Sequence, residues 1–417
     1  MTRAEASMLP TPMAEPALRD GEAYYRRLLR VVEGQRLPLA LVDLDRLETN
    51  AQALQLRSGR LPIRLGTKSI RCVEILRHVQ AMSAQFRGLF CYSAREAAWL
   101  HQQGFDDLLV GYPTLEADDF AAAARAVRSG ATLTLMIDEA DQALALAQAA
   151  RTLGVRFRVA LDLDMSSDLP GLWFGVRRSP LRDAQAALAV AACIREQAGA
   201  LQLVGAMGYE AQLAGLQDRA PGSPLRNQLL RALKRHSQRE LGRRRRQIVQ
   251  ALREAGHDIG LVNGGGTGSL EATAADACIT EATAGSGLYS PTLFDHFGHF
   301  HHLPAAFFAL PVVRRPAPGL ATCTGGGYIA SGPAGADRLP SPFLPSGMRL
   351  LGDEGAGEVQ TPVKLPPGFT PGLGAPLFFR HAKAGEMMER FDRLLLFRGD
   401  QAVATTPTYR GQGQNFF

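Results

Sequence analysis

Lysine is nearly missing from this chain. Lys and Arg together total 46, yet only four are lysine: Lys68, Lys234, Lys364 and Lys383. Arginine is permanently charged and forms no imine, whereas lysine can lose its proton and attack a carbonyl. A lysine kept against such a bias marks a place where arginine cannot serve. Cysteine is also sparse. Cys72, Cys91, Cys193, Cys278 and Cys323 are scattered, odd in number and form no CxxC, which excludes a disulfide framework or a zinc ribbon. No apolar run approaches the roughly 20 residues of a membrane helix. The first 20 residues lack the apolar core of a signal peptide and read as a flexible tail on a cytoplasmic protein. The net charge of +6 is concentrated between Arg226 and Arg253, including the run Arg243 to Arg246. No binding motif or interleaved aromatics accompany it, so it reads as the solvated face of a long helix and not as a nucleic-acid surface.

From about residue 37, short β-rich runs alternate with Ala-rich amphipathic stretches. The predicted strands are Leu39–Leu44, Ile63–Lys68, Gly88–Ser93, Asp107–Tyr112, Thr132–Ile137, Arg156–Leu163, Leu203–Tyr209, Ile259–Gly264 and Ile279–Ala284. Such alternation means a parallel sheet covered by helices. With Leu39–Leu44 outside, eight strands remain, enough for a closed (β/α)8 TIM barrel; an open doubly wound sheet is the alternative. After residue 300 the pattern becomes β-rich, with Pro and Gly clusters and strands such as Val312–Arg315, Leu320–Thr324 and Pro376–Arg380. The expected organisation is a tail and helix over 1–36, a barrel over 37–300 whose first strand can join the second domain, and a C-terminal β domain over 301–417.

Two small-residue turns follow the last two predicted strands. One is Val262-Asn263-Gly264-Gly265-Gly266-Thr267-Gly268-Ser269, the other Thr283-Ala284-Gly285-Ser286-Gly287-Leu288-Tyr289. Neither fits a nucleotide fingerprint. Backbone N–H groups in such turns converge on anions, and in a barrel the loops after strands seven and eight form the usual phosphate site. Lys68, on the first barrel strand, would stand beside them. A phosphate cradle next to an imine-forming lysine points to pyridoxal 5′-phosphate (PLP). Tyr209 would face the same mouth. The segment Asp295 to His302 carries four of nine histidines but no carboxylate or thiolate partner beyond Asp295, so a metal is not expected there.

In order and spacing these motifs resemble the fold-type III PLP enzymes with an alanine-racemase-type barrel. The resembling branch is that of D-threonine aldolase and D-serine dehydratase, and more narrowly the bacterial amino acid deaminase/aldolase proteins. The resembling segments run from Pro38–Asn50 through Arg64–Ile75, Ser93–Leu100, Asp106–Pro113, Val204–Leu213 and the two glycine turns to Arg380–Phe391 and Thr408–Gly411. The resemblance implies that Lys68 forms the Schiff base. It implies that Gly265, Gly266, Thr267, Ser286 and Gly287 hold the phosphate, with Tyr289 in the closing segment. It places Tyr209 near the cofactor ring. It also implies a homodimer acting on a small amino acid.

Two departures stand out. The family's arginine near the sixth strand reads Trp173-Phe174-Gly175 here, with Arg177 and Arg178 following, and the sequence leaves open which of them faces the site. The family's C-terminal metal motif reads His381-Ala382-Lys383. An ammonium cannot ligate a metal, so no divalent metal is expected there. Lys383, with His381, is instead expected to serve catalysis by assisting loss of a substrate β-hydroxyl or by binding a carboxylate; a surface lysine is the plain alternative. The implied activity is that of a lyase on a D-3-hydroxy amino acid, by deamination/dehydration or retro-aldol cleavage. A racemase using Tyr328 or Tyr409 as second acid/base, a non-catalytic PLP-binding protein and a phosphate-using barrel without PLP are the alternatives.

Overall fold

The computed structural model describes residues 21–416; the expected tail over the first 20 residues lies outside them. The chain falls into two compact units. One comprises the residues up to Asn50 with Leu288–Gly413, the other Ala51–Gly287 with the C-terminal Gln414–Phe417.

The second unit is a closed parallel barrel. Strand β1 (Leu39–Asp43) lies outside it. The barrel runs β2 (Ile63–Gly66), β3 (Phe86–Cys91), β4 (Leu108–Val110), β5 (Leu133–Ile137), β6 (Phe157–Asp162), β9 (Leu201–Gly208), β10 (Leu261–Gly264) and β11 (Glu281–Ala284). It closes where Ala282 and Ala284 of β11 pair with Ile63 and Leu65 of β2. A small hairpin, β7 (Ser167–Leu169) and β8 (Leu172–Phe174), interrupts the alternation after β6 and was not legible from periodicity. Leu109, Met136, Ala160 and Met207 pack together as an apolar cluster. A buried polar network ties four strands. Arg64 donates to Glu281 at 2.6 and 2.8 Å and to Asp107 at 2.9 Å. Asn263 donates to the same Glu281 at 2.7 Å. A buried charge persists only when so paired.

The helix Pro224–Glu254 corrects the reading of the basic run as a solvated face. Arg245 is fully buried, on the stripe of Leu241, Ile248, Val249 and Leu252. Its guanidinium bonds Glu210, Asp276 at 2.9 Å and the Gly208 carbonyl at 3.0 Å. Arg243 and Arg246 stay exposed.

The first unit is a nine-stranded sheet. β1 sits between β12 (Ala306–Arg314), antiparallel, and the strand Arg393–Arg398, parallel. The strand expected at Val312 begins six residues earlier, because Ala306–Leu310 are fully buried and pair with both β1 and the strand Pro376–Arg380. The helix Gly21–Val31 covers one face, with Leu28, Leu41, Phe307, Phe378 and Phe397 in one core. Asn50 clasps this unit, donating to the carbonyls of Leu288 and Leu303 at 3.0 and 2.7 Å and accepting from Leu303 N at 2.8 Å. The histidine-rich segment is aromatic packing. Phe294, Phe297 and Phe300 form a cluster whose rings meet His299 and His302.

Candidate active site

All parallel barrel strands point one way, so residues just past their C-terminal ends share one mouth. The structure places Lys68, Tyr112, Tyr209 and both glycine turns at such positions. The strand expected to reach Lys68 ends at Gly66. Thr67–Ser69 forms a single 3-10 turn, fixed by Thr67 Oγ1 donating to the Phe90 carbonyl at 3.0 Å. The Thr67 carbonyl accepts from the amides of Ile70 and Arg71, each at 2.9 Å. Arg71 takes φ +47, in the left-handed region, and completes the reversal. Lys68 is left exposed, with Nζ donating to the Tyr112 hydroxyl at 2.7 Å. Tyr112 is a site residue that the sequence reading passed over. Its signal was position alone, one turn past a barrel strand.

The glycine turn after β10 is built by charge and by lack of side chains. Glu210, held by buried Arg245, accepts from Gly265 N at 2.9 Å, and Gly265 adopts φ +88. A Cβ on Gly266 would lie 2.9 Å from Ala214 Cβ and 3.1 Å from the Tyr209 ring. Glycine is therefore needed where the backbone lies against that ring. The two turns meet. Thr267 Oγ1 is 3.4 Å from Ser286 Oγ and accepts from Gly287 N at 3.0 Å. Arg57 donates to the Thr267 carbonyl at 2.5 Å and pairs with Glu271. Gly265, Gly266, Thr267, Ser286 and Gly287 thus form one small-residue, hydroxyl-lined cradle beside Tyr209, and the Thr267 and Ser286 hydroxyls are donors that suit a phosphate. Burial pushes the Tyr209 phenol up to about 12, with Arg178 opposing.

The choice between two arginines is resolved geometrically. The Arg178 guanidinium lies 5.9 Å from the Tyr112 ring and 5.8 Å from the Tyr209 ring. Arg177 instead stacks on Trp173 at 4.2 Å. Asp162 and Asp138, also missed from sequence, stand at the ends of β6 and β5. Burial, then Asp138, raises Asp162 to about 7.

Four further candidates belong to the other unit. Tyr289 is fully buried, its carbonyl accepting from Ala305 N at 3.0 Å. His381 is buried, and neither ring nitrogen has a well-formed hydrogen bond among the described residues. Burial and neighbouring Arg380 hold it near 3, the Ala306 backbone opposing weakly, so the ring is neutral at pH 7. Lys383 donates to the Ser331 carbonyl at 2.7 Å. Tyr328 packs against Phe308 and Phe391, ring centroids 4.9 and 5.3 Å away. Among the described residues no three of His, Cys, Asp or Glu gather as metal ligands would. One buried imidazole followed two residues on by an ammonium does not fit a divalent cation.

A closed eight-stranded parallel barrel with a lysine and two glycine turns at its C-terminal mouth, joined to a β-rich unit, defines a fold-type III PLP enzyme. The family model for the alanine racemase N-terminal domain matches residues 42–292, and the chain belongs to that family. It is 26% identical over 288 residues to a D-threonine aldolase from an Arthrobacter species, across 67% of this chain and 69% of that one. The solved D-threonine aldolase of Filomicrobium marinum has a TM-score of 0.76 at 21% identity, covering 91% of this chain and 96% of its own. D-threo-3-hydroxyaspartate dehydratase from Delftia sp. HT23 gives 0.69 at 21%, covering 89% and 97%. Alanine racemase of Clostridium difficile 630 gives 0.62 at 13%, covering 89% and 98%.

Proposed function

We propose that the chain is a PLP-dependent lyase acting on a D-3-hydroxy amino acid, by dehydration with loss of ammonia or by retro-aldol cleavage. The observation that carries this reading is the meeting, at one barrel mouth, of the Lys68–Tyr112 pair with two hydroxyl-lined glycine turns beside Tyr209. The aldolase and dehydratase likenesses set the substrate class.

When bound, PLP supplies an electron sink for charge developing at the substrate α-carbon. The chain's own residues do the rest. Gly265, Gly266, Thr267, Ser286 and Gly287 would hold the phosphate, and the Tyr209 ring would back the pyridine. Lys68 would hold the cofactor at its aldehyde and would carry a proton at the substrate α-carbon. Its Tyr112 hydrogen bond steers Nζ and offers a second proton site. Lys383 is the candidate for the β-hydroxyl or a carboxylate of the substrate, with neutral His381 two residues before it. Loss of the α-proton and β-hydroxyl as water leaves an enamine, whose imine tautomer takes up one water to give a 2-oxo acid and ammonia; breaking the α–β bond, with the β-hydroxyl proton removed and the α-carbon protonated, yields an aldehyde and glycine.

A homodimer in the cytoplasm is the further expectation. All five cysteines are free thiols, three of them buried, as a reducing compartment allows. No helix among the described residues is long and apolar enough to cross a membrane.

The test is a panel of D- and L-3-hydroxy amino acids, with 2-oxo acid, aldehyde and substrate chirality measured separately. Formation of 2-oxo acid or aldehyde from D-substrates is expected. Interconversion of enantiomers without either product would replace the lyase by a racemase.

A further inference from the structure

The stretch Gly264–Gly268 has one residue with a side chain, Thr267; the other four are glycines. Glycine ranges over more backbone conformations than any other residue, so such a turn keeps one shape only when neighbouring groups hold it. Two arginine–carboxylate pairs do so, one on each side of Gly266. At Gly265 the hold is the Glu210 carboxylate, which accepts from the amide and is itself bonded by buried Arg245. At Thr267 it is the Arg57 guanidinium, reaching across from the last turn of the helix Leu44–Ser58.

The Arg57 side chain is only 11% exposed. Its Nη2 donates to the Thr267 carbonyl at 2.5 Å and to Glu271 Oε2 at 2.9 Å, and its Nε donates to Glu271 Oε1 at 2.6 Å. The carboxylate meets the guanidinium along one edge, in the fork geometry that fixes a planar cation, and so aims Nη2 at the carbonyl. Glu271 lies four residues past Thr267, on the short helix Leu270–Ala274, so the pair braces the residue whose hydroxyl lines the cradle. That hydroxyl has a proton to give. Thr267 Oγ1 accepts from Gly287 N at 3.0 Å, and Ser286 Oγ, at 3.4 Å, is a long partner for the O–H. Where the proton points follows from where the Thr267 backbone is held, which is the end that Arg57 grips.

We propose that Arg57 is a positioning residue for a phosphate group in the cradle. Braced by Glu271, it fixes the Thr267 carbonyl and so presents the Thr267 hydroxyl, with the Ser286–Gly287 turn bonded to it, to the anion. This inference rests on the cradle being the phosphate site of the proposed function.

The full-length protein, freed of cofactor by dialysis, is titrated in parallel with PLP, with pyridoxal and with inorganic phosphate. Visible absorption reads the first two and phosphorus NMR the third. Arg57→Gln should raise the Kd for PLP about tenfold and that for phosphate by a similar factor, with the Kd for pyridoxal unchanged. Glu271→Gln, which removes the brace and leaves the guanidinium, should raise the PLP Kd about threefold. Arg57→Lys should fall between wild type and Arg57→Gln, because an ammonium cannot serve carbonyl and carboxylate in one fixed fork. A merely structural role would weaken PLP and pyridoxal alike. That result, or a PLP Kd unchanged in Arg57→Gln, would overturn the proposal. Should Arg57→Gln not fold, the same comparison of PLP with pyridoxal in Glu271→Gln decides. A wild type that binds phosphate but no PLP, with phosphate weakened in Arg57→Gln, would remove the cofactor reading and leave this one standing. A wild type that binds neither would remove both.

Discussion

Two of the four lysines invite comparison, one in each unit. Lys68 Nζ and Lys383 Nζ each make a 2.7 Å hydrogen bond, so bond length does not separate them. Their acceptors do. Lys68 bonds a phenol, which can exchange a proton, beside an arginine and two glycine turns. Lys383 bonds the Ser331 carbonyl, which cannot, and its partner is fixed in a loop. A Cβ placed on Gly332 would lie 2.9 Å from Arg338 Nε and 3.5 Å from Lys383 Nζ, so two cations flank one glycine. The first setting suits a lysine that changes covalent and protonation state. The second suits a lysine that stays charged and faces an anion.

The comparison can be broken most decisively at Lys68. Lys68→Ala should abolish the borohydride-sensitive visible absorption and lower kcat/KM by about a thousandfold or more. Lys383→Met should leave that absorption intact yet lower kcat/KM about 10- to 100-fold. Metal analysis of the purified wild type should find no stoichiometric zinc or manganese. Equal loss of absorption in both variants would erase the contrast.

Behind the cradle, Arg245→Met leaves Glu210 buried without its cation and Asp276 with Arg246 alone, at 3.3 Å. It should cost about 3–5 kcal/mol in denaturant unfolding and weaken cofactor binding through the Gly265 turn. The smallest effect concerns Asp162. Its folded value, about 7, lies above the ordinary one of 3.8. The folded state therefore binds the extra proton between those values, and stability from this group falls as pH rises through the window. Asp162→Asn should leave stability unchanged below about pH 4 and raise it by about 1 kcal/mol above pH 8.

The barrel strands were legible because each is a short apolar run bounded by turn residues, and β1 was legible as the strand left over. Lys68 and the glycine turns were legible because residue type and strand-end position agreed. Tyr112 and Asp162 had the position without a diagnostic type, and only the pairing of β2, β3 and β4 as neighbours sets Tyr112 beside Lys68. Arg245 was concealed by its neighbours. The run of four arginines reads as solvated, although the stripe Leu241, Ile248, Val249 and Leu252 already put position 245 on the buried face. The strand expected from Val312 starts at Ala306, and β12 carries Pro311 within the sheet, opposite Pro376.

Borohydride reduction of the purified protein, followed by proteolysis and mass mapping of the modified peptide, addresses Lys68 most directly. A pyridoxyl adduct on Lys68, with none on Lys234, Lys364 or Lys383, is the expected result. An adduct on another lysine, or no adduct and no visible absorption after incubation with PLP, would contradict the assignment of Lys68 as the lysine that holds the cofactor.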